Sequence, residues 1–304
     1  MLRSLQHAAL TVPDLEVGRK FYTSMGMEAA ALGNGLAFRC PGRDQDQVRL
    51  IEGGKKRLAY VSFGTTAPEL PGLRRKLEQG GTKLVDAPVK VGGEGIWFRD
   101  LDGDLINLCA APDKPQSRPA VAINNPGDFK RLGKRGAPDR DIEAKPRRLG
   151  HVLKFSLDLQ RTIDFYTGTL GMKLSDRIGD MAAFLRFGGD SDHHTLAIAQ
   201  SEAPGLHHMS FEMGNLDQIQ FCAQRMIEAG YRDGWGVGRH IYGSNYFHYI
   251  RDPWNSLVEY FWDIDFIPAA ARWEVENAAA GPESLYQWAT TAPPADFLAN
   301  YERQ

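Results

Sequence analysis

The 304-residue sequence predicts an α+β fold assembled from four βαβββ units, two in each half of the chain. Three observations lead there. The second half repeats the first at matched motifs. Each half splits again into two similar stretches. Each stretch runs from a β-like segment into an amphipathic helix closed by glycine, then into further β-like segments separated by Gly and Asp turns.

In chain order, the first unit opens on Leu5-Gln6-His7-Ala8, which aligns with Leu149-Gly150-His151-Val152 at the start of the third. Helices are expected from Asp14 to Met25 and from Asp158 to Leu170, because Asp14-Leu15 matches Asp158-Leu159 and Phe21-Tyr22-Thr23 matches Phe165-Tyr166-Thr167. After a one-residue slip, Gly26-Met27 falls on Gly171-Met172. The second unit begins at Arg57-Leu58-Ala59-Tyr60, opposite Gly205-Leu206-His207-His208 in the fourth. Its helix is placed from Pro68 to Gln79, where Leu70, Leu73 and Leu77 share a face and Gly80 supplies a left-handed stop. The last helix runs from Asn215 to Ala229, with Asn215 as N-cap, a stripe of Leu216, Ile219, Cys222 and Met226, and Gly230 at its end. The turns Arg99-Asp100-Leu101-Asp102-Gly103 and Arg251-Asp252-Pro253-Trp254-Asn255 also correspond.

Composition excludes other classes. With 42% hydrophobic and 24% charged residues the chain is ordinary globular material, long enough for two cores. A formal charge of -2 gives no basic footprint for nucleic acid. No apolar run reaches the roughly 20 residues of a membrane helix, so no membrane partner is expected. The first residues, Met1-Leu2-Arg3-Ser4-Leu5-Gln6, lack an apolar signal core and run into the first strand, which makes the cytoplasm the default location. Cys40, Cys109 and Cys222 are scattered without metal spacing and read as reduced thiols.

Two segments fall outside the repeat. Residues 113–148 hold Pro115, Pro119, Pro126, Pro138 and Pro146 among Lys and Arg, and read as a linker with a solvated basic surface. It separates an N-terminal domain, 1–112, from a C-terminal catalytic domain, 149–262. The tail, 263–304, carries Trp273, Tyr286, Trp288, Phe297 and Tyr301, too many aromatics for a free end, and should dock on the C-terminal domain or on a neighbouring subunit.

His151, His208 and Glu259 are the candidate metal ligands, because two imidazoles and a carboxylate hold non-haem Fe(II) on one face and leave other positions open. Each has a bland alternative. His151 alternates in phase with Leu153, Phe155 and Leu157, where a lone histidine is more often a satisfied core residue. His207 and His208 are adjacent, so strand alternation sends them to opposite faces and repeat position favours His208. Glu259 lies in Ser256-Leu257-Val258-Glu259-Tyr260-Phe261-Trp262, where a bare carboxylate needs a partner, a metal or else an Arg or Lys. The first half serves as an internal control. It has His7, Tyr60 and Asn107 at the equivalent places, so the scaffold is kept while two of the three ligand types are missing, and His7 reads as structural.

Downstream, His194-Thr195-Leu196-Ala197-Ile198 precedes His208, and Gly238-Arg239-His240, Tyr249-Ile250-Arg251-Asp252-Pro253 and Glu259 follow it at regular spacing. With these motifs, residues 3 to 262 resemble a two-domain type I extradiol ring-cleaving dioxygenase of the vicinal oxygen chelate superfamily. That family pairs four βαβββ modules into two domains, each a curved mixed sheet with helices outside. Asn255 stands where a glycine is more usual and should tolerate the left-handed conformation. His193 beside His194 offers a second imidazole, and spacing favours His194. Trp235, Tyr242 and Phe247 either line an apolar ring pocket or pack as core.

The resemblance implies a mechanism. A catechol would chelate Fe(II), or Mn(II) on the same ligands, and O2 would take an open position. His194 would be the acid–base residue, and a histidine pKa near ~6.5 suits proton transfer in both directions. His240 and Tyr249 would hydrogen-bond the substrate oxygens. The product would be a yellow ring-opened semialdehyde or keto acid, and the protein a homo-oligomer. A glyoxalase- or epimerase-type metalloenzyme on these modules would spread four protein ligands over paired modules, and Tyr60 and Asn107 argue against it. A metal-free ligand-binding module would need no buried Glu259.

Overall fold

The computed structural model describes residues 1–88, 93–111, 114–136 and 144–303. The first half supplies β1 (Ser4–Val12), β2 (Glu28–Leu32), β3 (Gly35–Arg39), β4 (Asp46–Glu52), β5 (Arg57–Thr65), β6 (Leu84–Val85), β7 (Ile96–Arg99) and β8 (Leu105–Ala110). The second supplies β9 (Arg148–Ser156), β10 (Lys173–Ile178), β11 (Ala182–Arg186), β12 (Ser191–Asp192), β13 (Leu196–Gln200), β14 (Gly205–Glu212), β15 (Asp233–Arg239), β16 (Tyr246–Arg251) and β17 (Leu257–Trp262). The tail adds β18 (Phe266–Ile267), β19 (Glu276–Ala278) and β20 (Trp288–Ala289).

The first sheet runs β2-β3-β4-β1-β5-β8-β7-β6, and the second runs β10-β11-β13-β9-β14-β17-β16-β15 between tail strands β19 and β20. Strand for strand these are one order. Registers agree too: Ser62 of β5 faces both His7 and Asn107, and Ser210 of β14 faces both His151 and Glu259. The alignment of His7 with His151 and of Asn107 with Glu259 is therefore spatial as well as sequential.

Helices α1 (Leu15–Ser24), α2 (Leu70–Gln79), α3 (Leu159–Asp164) and α4 (Leu216–Glu228) fall where the periodicity placed them. Asp14, Asp158 and Asn215 cap three of them by accepting from first-turn N–H groups. Two details differ from expectation. Beyond α3 the chain continues to Leu170 as a π turn over Phe165–Thr169. The left-handed stop after α2 is Gly81 (φ 76), since Gly80 takes φ -77 and only caps the last turn.

Alternate residues of the central strands face different cores. Ala8, Leu10, Val12 and Val152 join a large cluster drawn from both halves, with Phe21 of α1 edge-on to Tyr231 at 5.0 Å. Ala9, Tyr60 and Trp97 form a separate cluster on the other face of the first sheet. Lys154, on β9, is fully buried among Asp100, Asp102 (3.1 Å) and Asp104 (2.6 Å) of the turn between β7 and β8. This ties the second half to the first. The phase that groups His151 with Leu153 and Phe155 holds in β9, whereas Leu157 lies past its end and is half exposed.

Residues 114–136 contain only one isolated bridge, Asn125–Asp128, among described positions. Asp113 and residues 137–143, with Pro138, lie outside the described residues. The tail docks on the second half, with β19 on β10 and β20 on β15 at the edges of the second sheet and β18 pairing with β12 in a separate two-stranded sheet. The three cysteines are free thiols. Among the described residues no helix is long and apolar enough to cross a membrane.

Candidate metal centre and substrate pocket

Three neighbouring strands at the middle of the second sheet bring His151 (β9), His208 (β14) and Glu259 (β17) to one face. His151 Nε2 lies 2.9 Å and His208 Nε2 3.4 Å from Glu259 Oε2. One ligand atom from each residue falls within 4.8 Å of the others. Glu259 is completely buried. Burial alone would raise its carboxyl, but the imidazoles of His151, His208 and His240 outweigh this and hold it well below the usual range. A buried carboxylate on which imidazole nitrogens converge fits a divalent cation, which would replace the hydrogen that His151 Nε2 donates to Glu259 Oε2 at 2.9 Å. His208 Nε2 supports the fit independently, because it is buried, aimed at that point and without a hydrogen-bond partner among the described residues. Burial pushes His208 down to about 4, which keeps the ring neutral as a ligand must be.

The other expected residues surround this centre. The His194 ring lies 4.2 Å from that of His151, centroid to centroid. Burial, then the imidazoles of His151 and His193, push His194 well below its ordinary value, so the expectation of a pKa near ~6.5 is not met and the ring stands neutral. Tyr249 on β16 is the cross-strand partner of Glu259. Its hydroxyl is 3.0 Å from His240 Nε2, and that nitrogen is 3.5 Å from Glu259 Oε1. Burial, reinforced by the Glu259 charge, raises Tyr249 well above its ordinary value, so it is a phenol that donates. His240 Nδ1 donates to the Leu285 carbonyl at 2.6 Å.

One sequence expectation is overturned. His207 and His208 do not point to opposite faces: a bulge between Leu206 and His208 breaks the alternation, and their Nδ1 atoms meet at 2.7 Å. His193 and His194 pair in the same way at 3.0 Å, and Asp176 accepts from His193 Nε2 at 2.7 Å. The residue beside the centre is His208, favoured by repeat position, in one doublet and His194, favoured by spacing, in the other. Asn245 was not anticipated. Its side-chain N–H donates to Glu259 Oε1 at 3.2 Å, from a loop in which Gly243 (φ 85) and Ser244 (φ 58) are left-handed. Of the three candidate pocket aromatics, Tyr242 lines the cavity and stacks on Phe184 at 5.6 Å, while Trp235 and Phe247 pack behind it with Phe297.

Above the centre the cavity walls are apolar, formed by Ile178, Met181, Phe184, Leu285 and Leu298, with Ala182, Ala197 and Ala199 leaving room. The equivalent place in the first half is filled. Tyr60 bonds His7 at 3.0 Å and packs on Trp97 at 5.0 Å, and Arg49 reaches the Tyr60 hydroxyl at 3.2 Å.

Residues 148–260 match the model of the Glyoxalase/Bleomycin resistance protein/Dioxygenase superfamily. Along 99% of its length the chain is 40% identical to Metapyrocatechase 2 of Cupriavidus necator, covering 93% of that protein. The chain belongs to the extradiol ring-cleaving dioxygenases. The dioxygenase also shares its fold with homoprotocatechuate 2,3-dioxygenase of Brevibacterium fuscum, at a TM-score of 0.79, 19% identity and coverage of 98% of this chain and 92% of that one. The Mn(II)-bound glyoxalase of Novosphingobium aromaticivorans superposes equally well, at 0.79, with 24% identity and coverage of 96% and 93%. The two-domain α+β architecture of this dioxygenase is thus that of the vicinal oxygen chelate enzymes.

Proposed function

We propose that this dioxygenase opens the ring of an uncharged catechol at an Fe(II) ion held by His151, His208 and Glu259. The observation that carries this reading is the convergence of two imidazoles on a fully buried carboxylate at the floor of an apolar cavity. When bound, the ferrous ion supplies open coordination positions for the catechol oxygens and O2, and lowers the pKa of the bound hydroxyl. Iron is preferred over manganese as the ring-cleaving metal, although the ligand set serves both.

The chain's own residues do the rest. His194 Nδ1 is engaged by His193, whose Nε2 donates to Asp176, so the Nε2 of His194 is left with a lone pair toward the substrate. There it takes the second hydroxyl proton of the catechol and returns it as the ring opens. The Tyr249 phenol and His240 hydrogen-bond the substrate oxygens and hold the ring in place. Asn245 steadies Glu259. Phe184 and the alanines at 182, 197 and 199 bound an apolar slot for the ring, and no Lys or Arg among the described residues lines it to meet a substrate carboxylate.

The domain roles follow the same reading. Residues 1–112 act as a scaffold without metal, 113–148 as the connection, 149–262 as the catalytic domain and 263–304 as its docking tail. A homo-oligomer in the cytoplasm completes it. The test is oxygen uptake by anaerobically iron-loaded protein with alkyl- and aryl-substituted catechols against carboxylated ones. Preference for the uncharged set supports the reading, and preference for the carboxylated set refutes it.

A further inference from the structure

The outer member of one histidine doublet has a place in the metal site that nothing above assigns. His207 Nε2 lies 2.7 Å from the main-chain carbonyl of Phe297, in the tail. A carbonyl only accepts, so this nitrogen carries a hydrogen. The ring is 3% exposed and packed between Phe155 and Phe297, with no carboxylate among the described residues bonded to it to balance a positive charge. A neutral His207 therefore has its lone pair on Nδ1. That atom is 2.7 Å from His208 Nδ1, which must be the donor. His208 is then left with a bare Nε2, the nitrogen that faces Glu259 at 3.4 Å without a hydrogen bond among the described residues. The order of protons runs from His208 through His207 to the tail.

We propose that the Phe297 carbonyl, acting through His207, locks His208 in the Nδ1–H tautomer and so presents Nε2 to the metal. His207 is a positioning residue, and the tail is part of the metal site. This rests on the reading of His208 as a ligand. The device is one-sided, because His151 Nδ1 has no hydrogen-bond partner among the described residues. The tail backs other site histidines by the same means: the Leu285 carbonyl accepts from His240 Nδ1 at 2.6 Å, and Glu276 N–H donates at 2.6 Å to Asp176, the carboxylate that holds His193.

Two measurements test it. Imidazole ¹⁵N correlation spectra of the metal-free wild type read the tautomers directly. His208 is expected as Nδ1–H and His207 as Nε2–H; His208 as Nε2–H overturns the proposal, even if no variant folds. Fe(II) dissociation constants, by anaerobic chelator competition, are then compared for His207→Gln, His207→Leu and His208→Ala. Glutamine keeps an acceptor for His208 and a donor for Phe297 and should hold iron within a few-fold of wild type. Leucine removes both and should weaken binding by about 10–100-fold, the usual effect of losing the group behind a ligand histidine. Unchanged affinity in His207→Leu, with iron lost in His208→Ala, overturns the relay alone. Iron retained in His208→Ala overturns the ligand reading on which it stands.

Discussion

Replacing Lys154 with Met should destabilise the folded chain by about 3–5 kcal/mol, the cost of stripping one partner from a buried ionic cluster. Lys154 is fully buried with its ammonium among Asp100, Asp102 and Asp104, and Tyr166 donates to Asp100 at 2.8 Å. Burial by itself would lower the lysine's pKa, but the three carboxylates outweigh it and raise it, so the ammonium is charged throughout the working range. Methionine fills the same space with no charge and leaves three carboxylates facing one another. Asp104, which burial already raises, would be the first to take up a proton. Urea unfolding followed by fluorescence and circular dichroism, with coincident transitions as the check on two-state behaviour, reads the loss. Adding Asp100→Asn and Asp104→Asn to Lys154→Met should recover most of it, because the repelling charges go. A loss below about 1 kcal/mol, the scale of an exposed pair, or no recovery in the triple variant, would refute the claim that this cluster clamps the two halves.

Other expected outcomes concern the site and its scaffold. His194→Asn should keep iron and bind catechol while turnover falls by about 10²-fold or more, the size of a lost acid–base group; stopped-flow turnover with parallel iron analysis checks it, and unchanged turnover moves the role elsewhere. His7 is pushed down to about 3 by burial, with Arg49 adding and Asp46 opposing. A depressed base stabilises the fold above its unfolded pKa, so the stability is lost as pH falls from ~6.5 toward 3. His7→Gln should therefore lose about 3 kcal/mol less than wild type between pH 7 and pH 4, and equal losses by urea titration would contradict the assignment. Asn255 sits at φ 72, so Asn255→Gly should be near neutral while Asn255→Val costs on the order of 1–2 kcal/mol by thermal melting.

Much of this was legible from residues because duplication exposes what repeats. Asp14, Asp158 and Asn215 cap helices as their types and spacing indicate, and His151, His208, Glu259, His194, His240 and Tyr249 all converge on one pocket. What could not be read depends on backbone irregularity or on chain ends meeting. The bulge at Leu206–His208 turns two adjacent imidazoles toward each other, which strict alternation forbids. Gly81 rather than Gly80 takes the left-handed turn, since either glycine could supply it. Asn245 reaches Glu259 only because two left-handed residues fold its loop back. The contact of Phe297 with His207 joins residues 90 positions apart. The His207-His208 and His193-His194 doublets were the one sequence signal of these relays, and they read at first as a choice between neighbours.

The central claim, ring cleavage at the centre formed by His151, His208 and Glu259, is tested most directly by oxygen uptake and bound iron in the wild type and Glu259→Ala, both reconstituted anaerobically with Fe(II). Wild type should bind one ferrous ion per chain and consume O2 with a catechol to give a yellow product, while the variant, with unchanged circular dichroism, loses both iron and uptake. Iron and turnover retained in Glu259→Ala would contradict it.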